Sequence, residues 1–244
     1  MSIIVYDLAG TDDRRFSPFC WRTRMALAHK GLSAEYRPWH FTEKDAIAFT
    51  GQGRVPVMLD GEKSIFDSWT IACHLEDRYP TRPSLFNGDI GRALTRFVQH
   101  FVDNVGQPGL GRLIVADVHG HLVPKDQDYF RKTREERYGT KLEDVQAGRE
   151  TNVVAWRTSL EPIRAQLREH IFMAGEKPSY ADYIVFGMFA WARGISSFKL
   201  IESGDPLFAW RERMMSLHGQ DEDCPKFYPG VGWQHNARIL KHSV

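Results

Sequence analysis

The sequence predicts an α/β domain over residues 1–80 followed by an all-α helical domain over residues 90–244. Three observations predict it. Strand-like and helix-like segments alternate as far as Tyr79, a tract rich in Pro, Ser, Asn and Gly fills 81–89 as a linker, and beyond it apolar residues recur only at helical spacing.

Ile3–Leu8 reads as a short apolar strand, followed by a Gly-Thr-Asp-Asp turn. Ser17 then caps a helix with Pro18 at its first position, where a missing N–H costs nothing. Trp21, Met25 and Ala28 mark the apolar side of that helix, and Arg22, Arg24 and Lys30 its polar positions. His29 and Lys30 suit the negative end of its dipole, and Gly31 suits a left-handed stop. Glu35–Trp39 reads as a second strand. Val57–Leu59 and Ser64–Phe66 flank Asp60-Gly61, a hairpin signal. Asp67 and Ser68 open a helix that runs to Tyr79 and stops at Pro80. A βαβ unit followed by a ββα unit is the thioredoxin-like layout.

Past the linker, Ile90, Leu94, Phe97, Phe101 and Val105 share one helical face, with Val98 and Val102 beside them. Val153, Trp156, Leu160, Ile163 and Leu167 repeat every three or four residues, and Pro162 must kink or break that helix. Lys125–Glu150 is highly charged and reads as solvated helix with an aromatic edge at Tyr129, Phe130 and Tyr138. Ser179-Tyr180-Ala181-Asp182 forms a capping box ahead of the almost wholly apolar run Tyr183–Ala192, which belongs in the core of the second domain.

Over 244 residues, 42% hydrophobic, 32 Lys and Arg nearly cancel 31 Asp and Glu, so no electrostatic footprint for nucleic acid or an anionic membrane is present. Cys20, Cys73 and Cys224 make neither a disulfide framework nor a metal-ligand spacing, which favours a reducing compartment. Met1–Leu8 is too short and too acidic for a signal peptide, and the longest apolar run is about half a membrane span. A cytoplasmic protein is expected.

Three short segments carry the chemistry. At a helix N-terminus, free N–H groups and the positive dipole end favour a thiolate, and the Ser17 hydroxyl adds one donor. Val55, held extended before Pro56, can present its N–H and C=O to a bound peptide. Asp67 offers a carboxylate to an ammonium, while the Ser68 hydroxyl and the adjacent helix N–H groups suit a carboxylate, together matching an α-amino acid end group. Taken singly, each is an ordinary cap or a strand-opening proline; the three in one chain point to a thiol peptide.

Ser17-Pro18-Phe19-Cys20, Arg54-Val55-Pro56, Asp67-Ser68 and the Ser179–Asp182 box, in this order, resemble a cytosolic serine-type glutathione transferase over essentially the whole chain. The resemblance implies glutathione as cosubstrate, Ser17 stabilising its thiolate, and Val55 pairing with its cysteinyl backbone. It further implies Asp67 and Ser68 on the γ-glutamyl group, Arg54 on the glycine carboxylate with His40 as a weaker candidate, and a homodimer. Ser17 to Thr23, Asp67-Ser68-Trp69 and Leu142–Glu150 are similar to the etherase-type branch, which cleaves β-aryl ethers of lignin-derived aromatics. The small aromatic electrophile would lie between the domains against residues such as Trp39, Phe41, Tyr129, Tyr138 or Trp191. Three other readings stay open at this stage: general conjugation of electrophilic aromatics, glutathione or aromatic binding without turnover, and a thiol redox role for Cys20.

Overall fold

Alternation in Ile3–Leu8 (β1) buries Ile3 and Val5 on one face, and the strand pairs in parallel with Ala34–Trp39 (β2). On its other side β1 pairs antiparallel with Val57–Asp60 (β3), which turns through Gly61 at φ +64° into Lys63–Phe66 (β4). The sheet order is therefore β2-β1-β3-β4. The computed structural model describes residues 3–217, so Cys224 and the expected extent of the helical domain to 244 lie outside the described residues.

Pro18–His29 (α1) connects β1 to β2, and Ser68–Arg78 (α2) follows β4. A 3₁₀ segment, Lys44–Thr50, fills the connection between β2 and β3. Together these are a thioredoxin-like α/β domain. Helix α1 departs from the sequence expectation: Arg22, Arg24 and Lys30, assigned to its polar positions, are all buried. Partners on three sides explain this. Arg24 Nη2 donates to Asp7 Oδ2 at 3.0 Å, Lys30 Nζ reaches Glu76 at 2.5 Å, and Arg22 Nη2 reaches Asp103 across the domain boundary at 2.7 Å. A helix packed between its own domain and the next has no solvent face.

The second half is helical. Asp89–Phe101 (α3) passes through a π-turn, Val102–Gly106, into Gln107–Gly120 (α4). Pro108 accounts for the wider turn, because it has no N–H for the carbonyl of Asn104 and its ring crowds that carbonyl. Pro124–Tyr138 (α5), Leu142–Gln146 (α6), Arg149–Ser159 (α7) and Glu161–Glu169 (α8) follow. The break at Leu160 falls where Pro162, in the first turn of α8, requires it. Tyr180–Ile195 (α9) is buried along nearly its whole length, and Pro206–Ser216 (α10) packs against it. The Ser179 box forms: Asp182 Oδ2 accepts from the Ser179 N–H at 2.9 Å, and Oδ1 from the Met173 N–H and the Trp210 indole. No helix among the described residues is long and apolar enough to cross a membrane.

One apolar face does not go inward. Ile90, Leu94 and Phe97 are 80%, 64% and 73% exposed, while α3 turns Thr95 and Gln99 toward the protein. At the domain junction Glu76 accepts from the Leu85 N–H at 2.9 Å, from Lys30 and from the Ser84 hydroxyl. Burial alone would raise its pKa, but these donors outweigh it and hold the carboxyl below its ordinary value. A folded value below the unfolded one gives stability that is complete above about pH 4.3 and lost as pH falls through the folded value. Glu76→Gln is therefore expected to lower unfolding free energy at pH 7 by about 1–3 kcal/mol. It should also flatten the acid limb of a urea-midpoint profile against pH.

Candidate active site

The predicted residues fall on segments that leave one end of the sheet. β1 and β2 are parallel, so Leu8 and Trp39 end side by side. Tyr6 pairs with Val57 and Val57 with Phe66. The segments that follow Leu8, precede Val57 and follow Phe66 therefore leave the sheet at the same end, and they carry Val55 and Ser68. The chain from Leu8 leads to Ser17 at the mouth of α1, and Asp67 sits at the mouth of α2. Two helix N-termini and a strand opening thus lie toward one end of the sheet, beyond the ends of its parallel strands, the usual place for a ligand in a doubly layered α/β fold.

Ser17 is buried, and its Oγ accepts from the Cys20 N–H at 3.2 Å. Capping uses one lone pair, and the hydroxyl, which also contacts the Cys20 thiol, keeps a proton it can donate. The Val55–Pro56 peptide is cis, and neither the N–H nor the C=O of Val55 has a partner among the described residues. Asp67 adopts φ +71°, ψ 128°, a region that costs a non-glycine residue about 1–3 kcal/mol. Its Oδ1 accepts from the Trp69 and Thr70 N–H groups at 3.1 and 3.0 Å, leaving Oδ2 without a partner among the described residues. Ser68 is 1% exposed, with its Oγ buried and unpartnered, an orphan that a ligand's acceptor would satisfy. The Ser68 carbonyl accepts from the Tyr180 hydroxyl of α9 at 2.7 Å. Tyr180 is fully buried against Trp69 and Phe86, so the helical core grips the start of α2. Sequence spacing offered no signal for that contact beyond the position of Tyr180 in the capping box.

The two candidates for the glycine end differ in availability. Arg54 is exposed and its guanidinium has no partner among the described residues; Gln52 braces its backbone through both N–H and C=O. His40 Nδ1 lies 3.1 Å from Glu43 Oε2, and Glu43 is itself paired with Lys125 at 2.6 Å. His40 is therefore already engaged with a carboxylate.

Cys20 does not have the surroundings of a nucleophile. Burial pushes its thiol far up, the charge of Asp7 adds to that, and the Ser17 hydroxyl opposes it only in part. Beneath it Asp7 holds Arg15 and Arg24, a buried charge cluster belonging to the core.

Of the aromatic candidates, Trp39 is core: it is 2% exposed, and its indole donates to the Glu43 carbonyl at 2.7 Å. Phe41 stands beyond it, with Tyr129 and Phe130 of α5 at 6.2 and 5.7 Å between ring centroids. Asp126 fixes α5 there, its buried carboxylate accepting from the Phe41 N–H (2.7 Å), the Thr42 N–H (3.0 Å) and the Thr42 hydroxyl (2.7 Å). Tyr138 and Trp191 instead converge on Gly111, where a Cβ would meet them at 3.2 and 3.4 Å. The charged segment thus carries part of the wall facing the sheet end, beyond the solvated helix its composition implies. A separate cavity of about 250 Å³ between α9 and α10, lined in part by Arg193, Phe198 and Arg211, contains none of the predicted residues.

Comparison with known proteins agrees with this architecture. Residues 13–83 match the N-terminal domain model of glutathione S-transferases and residues 93–201 the C-terminal domain model. The glutathione S-transferase-like protein ustS of Aspergillus flavus is 26% identical over 176 residues, covering 66% of this chain and 63% of that relative, less than two thirds of its length. Glutathione transferase GSTFuA3 from Phanerochaete chrysosporium superposes with a TM-score of 0.79 at 24% identity, covering 88% of this chain and 96% of that one. CsGST63524 of Ceriporiopsis subvermispora, solved in complex with glutathione, gives 0.77 at 23% identity, covering 91% and 98%. With both halves of the chain matched in order by the two domain models, this protein belongs to the glutathione S-transferase family.

Proposed function

We propose that the chain is a glutathione transferase whose Ser17 hydroxyl donates to the glutathione thiolate at the mouth of α1. The observation that carries this is a set of unspent polar groups at one sheet end: the Val55 N–H and C=O, the buried Ser68 Oγ, and Asp67 Oδ2. A γ-glutamyl tripeptide uses all of them. Its cysteinyl backbone pairs with Val55, its α-carboxylate takes the Ser68 hydroxyl and N–H, and its ammonium takes Asp67. Arg54 takes the glycine carboxylate, and His40, tied to Glu43, is the lesser contact. Glutathione lies on the 1–80 side and the acceptor on the helical side.

For the acceptor we favour a β-aryl ether activated by an adjacent ketone, on the strength of the Ser17–Thr23 and Asp67–Trp69 motifs and the aromatic wall of Phe41 and Tyr129. The thiolate attacks the carbon that bears the ether oxygen; a C–S bond forms, the C–O bond breaks, and its electron pair leaves on a phenolate. The protein's part is positioning and exclusion of water. The exposed α3 stripe of Ile90, Leu94 and Phe97 supports a homodimer, since a contiguous apolar face of this kind marks an association surface. A dimer in the cytoplasm completes the reading.

Incubation of a keto β-aryl ether with glutathione and the protein is expected to release phenol. Ser17→Ala should lower kcat by roughly 30-fold, the equivalent of about 2 kcal/mol for a lost hydrogen bond to an anion, with little change in the calorimetric Kd for glutathione. Absence of glutathione uptake by the parent protein would refute the assignment. Tyr180→Phe keeps the ring but removes the donor to the Ser68 carbonyl. We expect it to weaken glutathione several-fold while leaving cysteinylglycine, which lacks the γ-glutamyl group, unaffected. Leu94→Glu combined with Phe97→Glu should convert the dimer to monomer by light scattering, with circular dichroism unchanged.

A further inference from the structure

Helix α5 carries five cations of known surroundings, and they divide into two groups. Lys125 is paired with Glu43, and Arg131 with Glu135 and Glu143 at 2.9 and 2.8 Å. Arg134, Arg137 and the exposed Lys132 have no carboxylate partner among the described residues, and neither do Lys44 and Arg54. Asp126, Phe130 and Arg134 follow at four-residue spacing along the face of α5 that Asp126 docks against Phe41 and Thr42.

The Arg134 guanidinium lies over the Phe130 ring at 4.5 Å and the Phe41 ring at 5.2 Å from their centroids. These rings shield its faces, and its edge is left. Nη1 donates to Thr133 Oγ1 at 2.8 Å, and the remaining N–H groups have no acceptor among the described residues. Burial, then the neighbouring charges of Arg137 and Arg54, push this guanidinium below its ordinary range, as for a cation held without a counter-ion. Lys44 Nζ stands 4.9 Å from the Trp39 ring centroid and 5.3 Å from that of Tyr129.

We infer that this wall of the cleft selects aromatic acceptors bearing a carboxylate, with Arg134 as the specificity residue that receives it while the aryl ring lies on Phe41 and Tyr129. The inference rests on the transferase reading and deepens it. A planar guanidinium shielded by rings on its faces binds a carboxylate through its edge, which fixes the acceptor's direction as well as its charge. The other outcome to separate is the glycine carboxylate of glutathione itself as the anion.

Calorimetry with S-benzylglutathione and S-(4-carboxybenzyl)glutathione on the full chain tests this. In the parent the carboxylate is expected to bind roughly tenfold more tightly, the size of a single charge-assisted contact at a partly wet site. Arg134→Gln should erase that ratio and leave S-benzylglutathione unchanged, and Arg134→Lys should restore part of it. Equal affinities in the parent would overturn the inference while leaving the transferase reading intact; no uptake of either ligand would overturn both. A loss for both ligands and for free glutathione in Arg134→Gln would give the guanidinium to the glycine carboxylate, and an equal loss for both with a lowered Tm would make it a bracket for α5. Should Arg134→Gln not fold, the parent's ratio decides.

Discussion

The close approach of α9 to α1 is the constraint on which the site depends. A Cβ at Gly187 would collide with the carbonyl oxygen of Pro18, the first residue of α1, and one at Gly194 would press on Phe16 just before it. Glycine at these two positions lets the buried, mostly apolar helix α9 of the second domain lie against the start of α1. Arg22 and Asp103 then pin the middle of α1 to the π-turn between α3 and α4. The hydroxyl sits in the thioredoxin-like domain, but its position is set by helices more than 80 residues away in the chain.

That arrangement explains which parts could be read in advance. Ser17-Pro18, Asp60-Gly61, Asp67-Ser68 and Pro162 each act through backbone stereochemistry within a few residues, so the helix starts, the hairpin and the break at Leu160 follow from local sequence. Arg22, Arg24 and Lys30 look like a solvent face because charge is a local property and burial is not; each is buried only because an acid arrives from another element. Asp126 and Tyr180 were illegible for the same reason. Their partners, Thr42 and Ser68, lie 84 and 112 residues distant. The α3 stripe is the converse case, where helical periodicity located an apolar face and carried no information on what covers it.

Within one turn of α1 the structure also separates two possible chemistries. Ser17 and Cys20 are both near the helix N-terminus, where the dipole would favour an anion at either. Cys20, however, faces the Asp7 cluster, and burial with a neighbouring negative charge raises the cost of its thiolate. Ser17 needs no ionisation to donate a hydrogen bond. The protein's own thiol is thus kept protonated, and on the proposed reading the sulfur anion at this helix mouth is one that a ligand brings.

The two walls of the crevice then differ in kind. The sheet side offers short-range donors and acceptors held by backbone: Val55, Ser68, Asp67 and the helix mouths, whose geometry tolerates little change in the molecule they accept. The α5 side offers ring faces and a guanidinium with no carboxylate partner among the described residues, on a helix docked by the three donors on Asp126. A ligand group read by backbone can be altered only by refolding a strand or a helix start, whereas one read by Phe41, Tyr129 and Arg134 can be altered by single side chains. On the proposed reading, the constant half of the reaction is recognised by the sheet side and acceptor choice lies with side chains of α5 and Phe41.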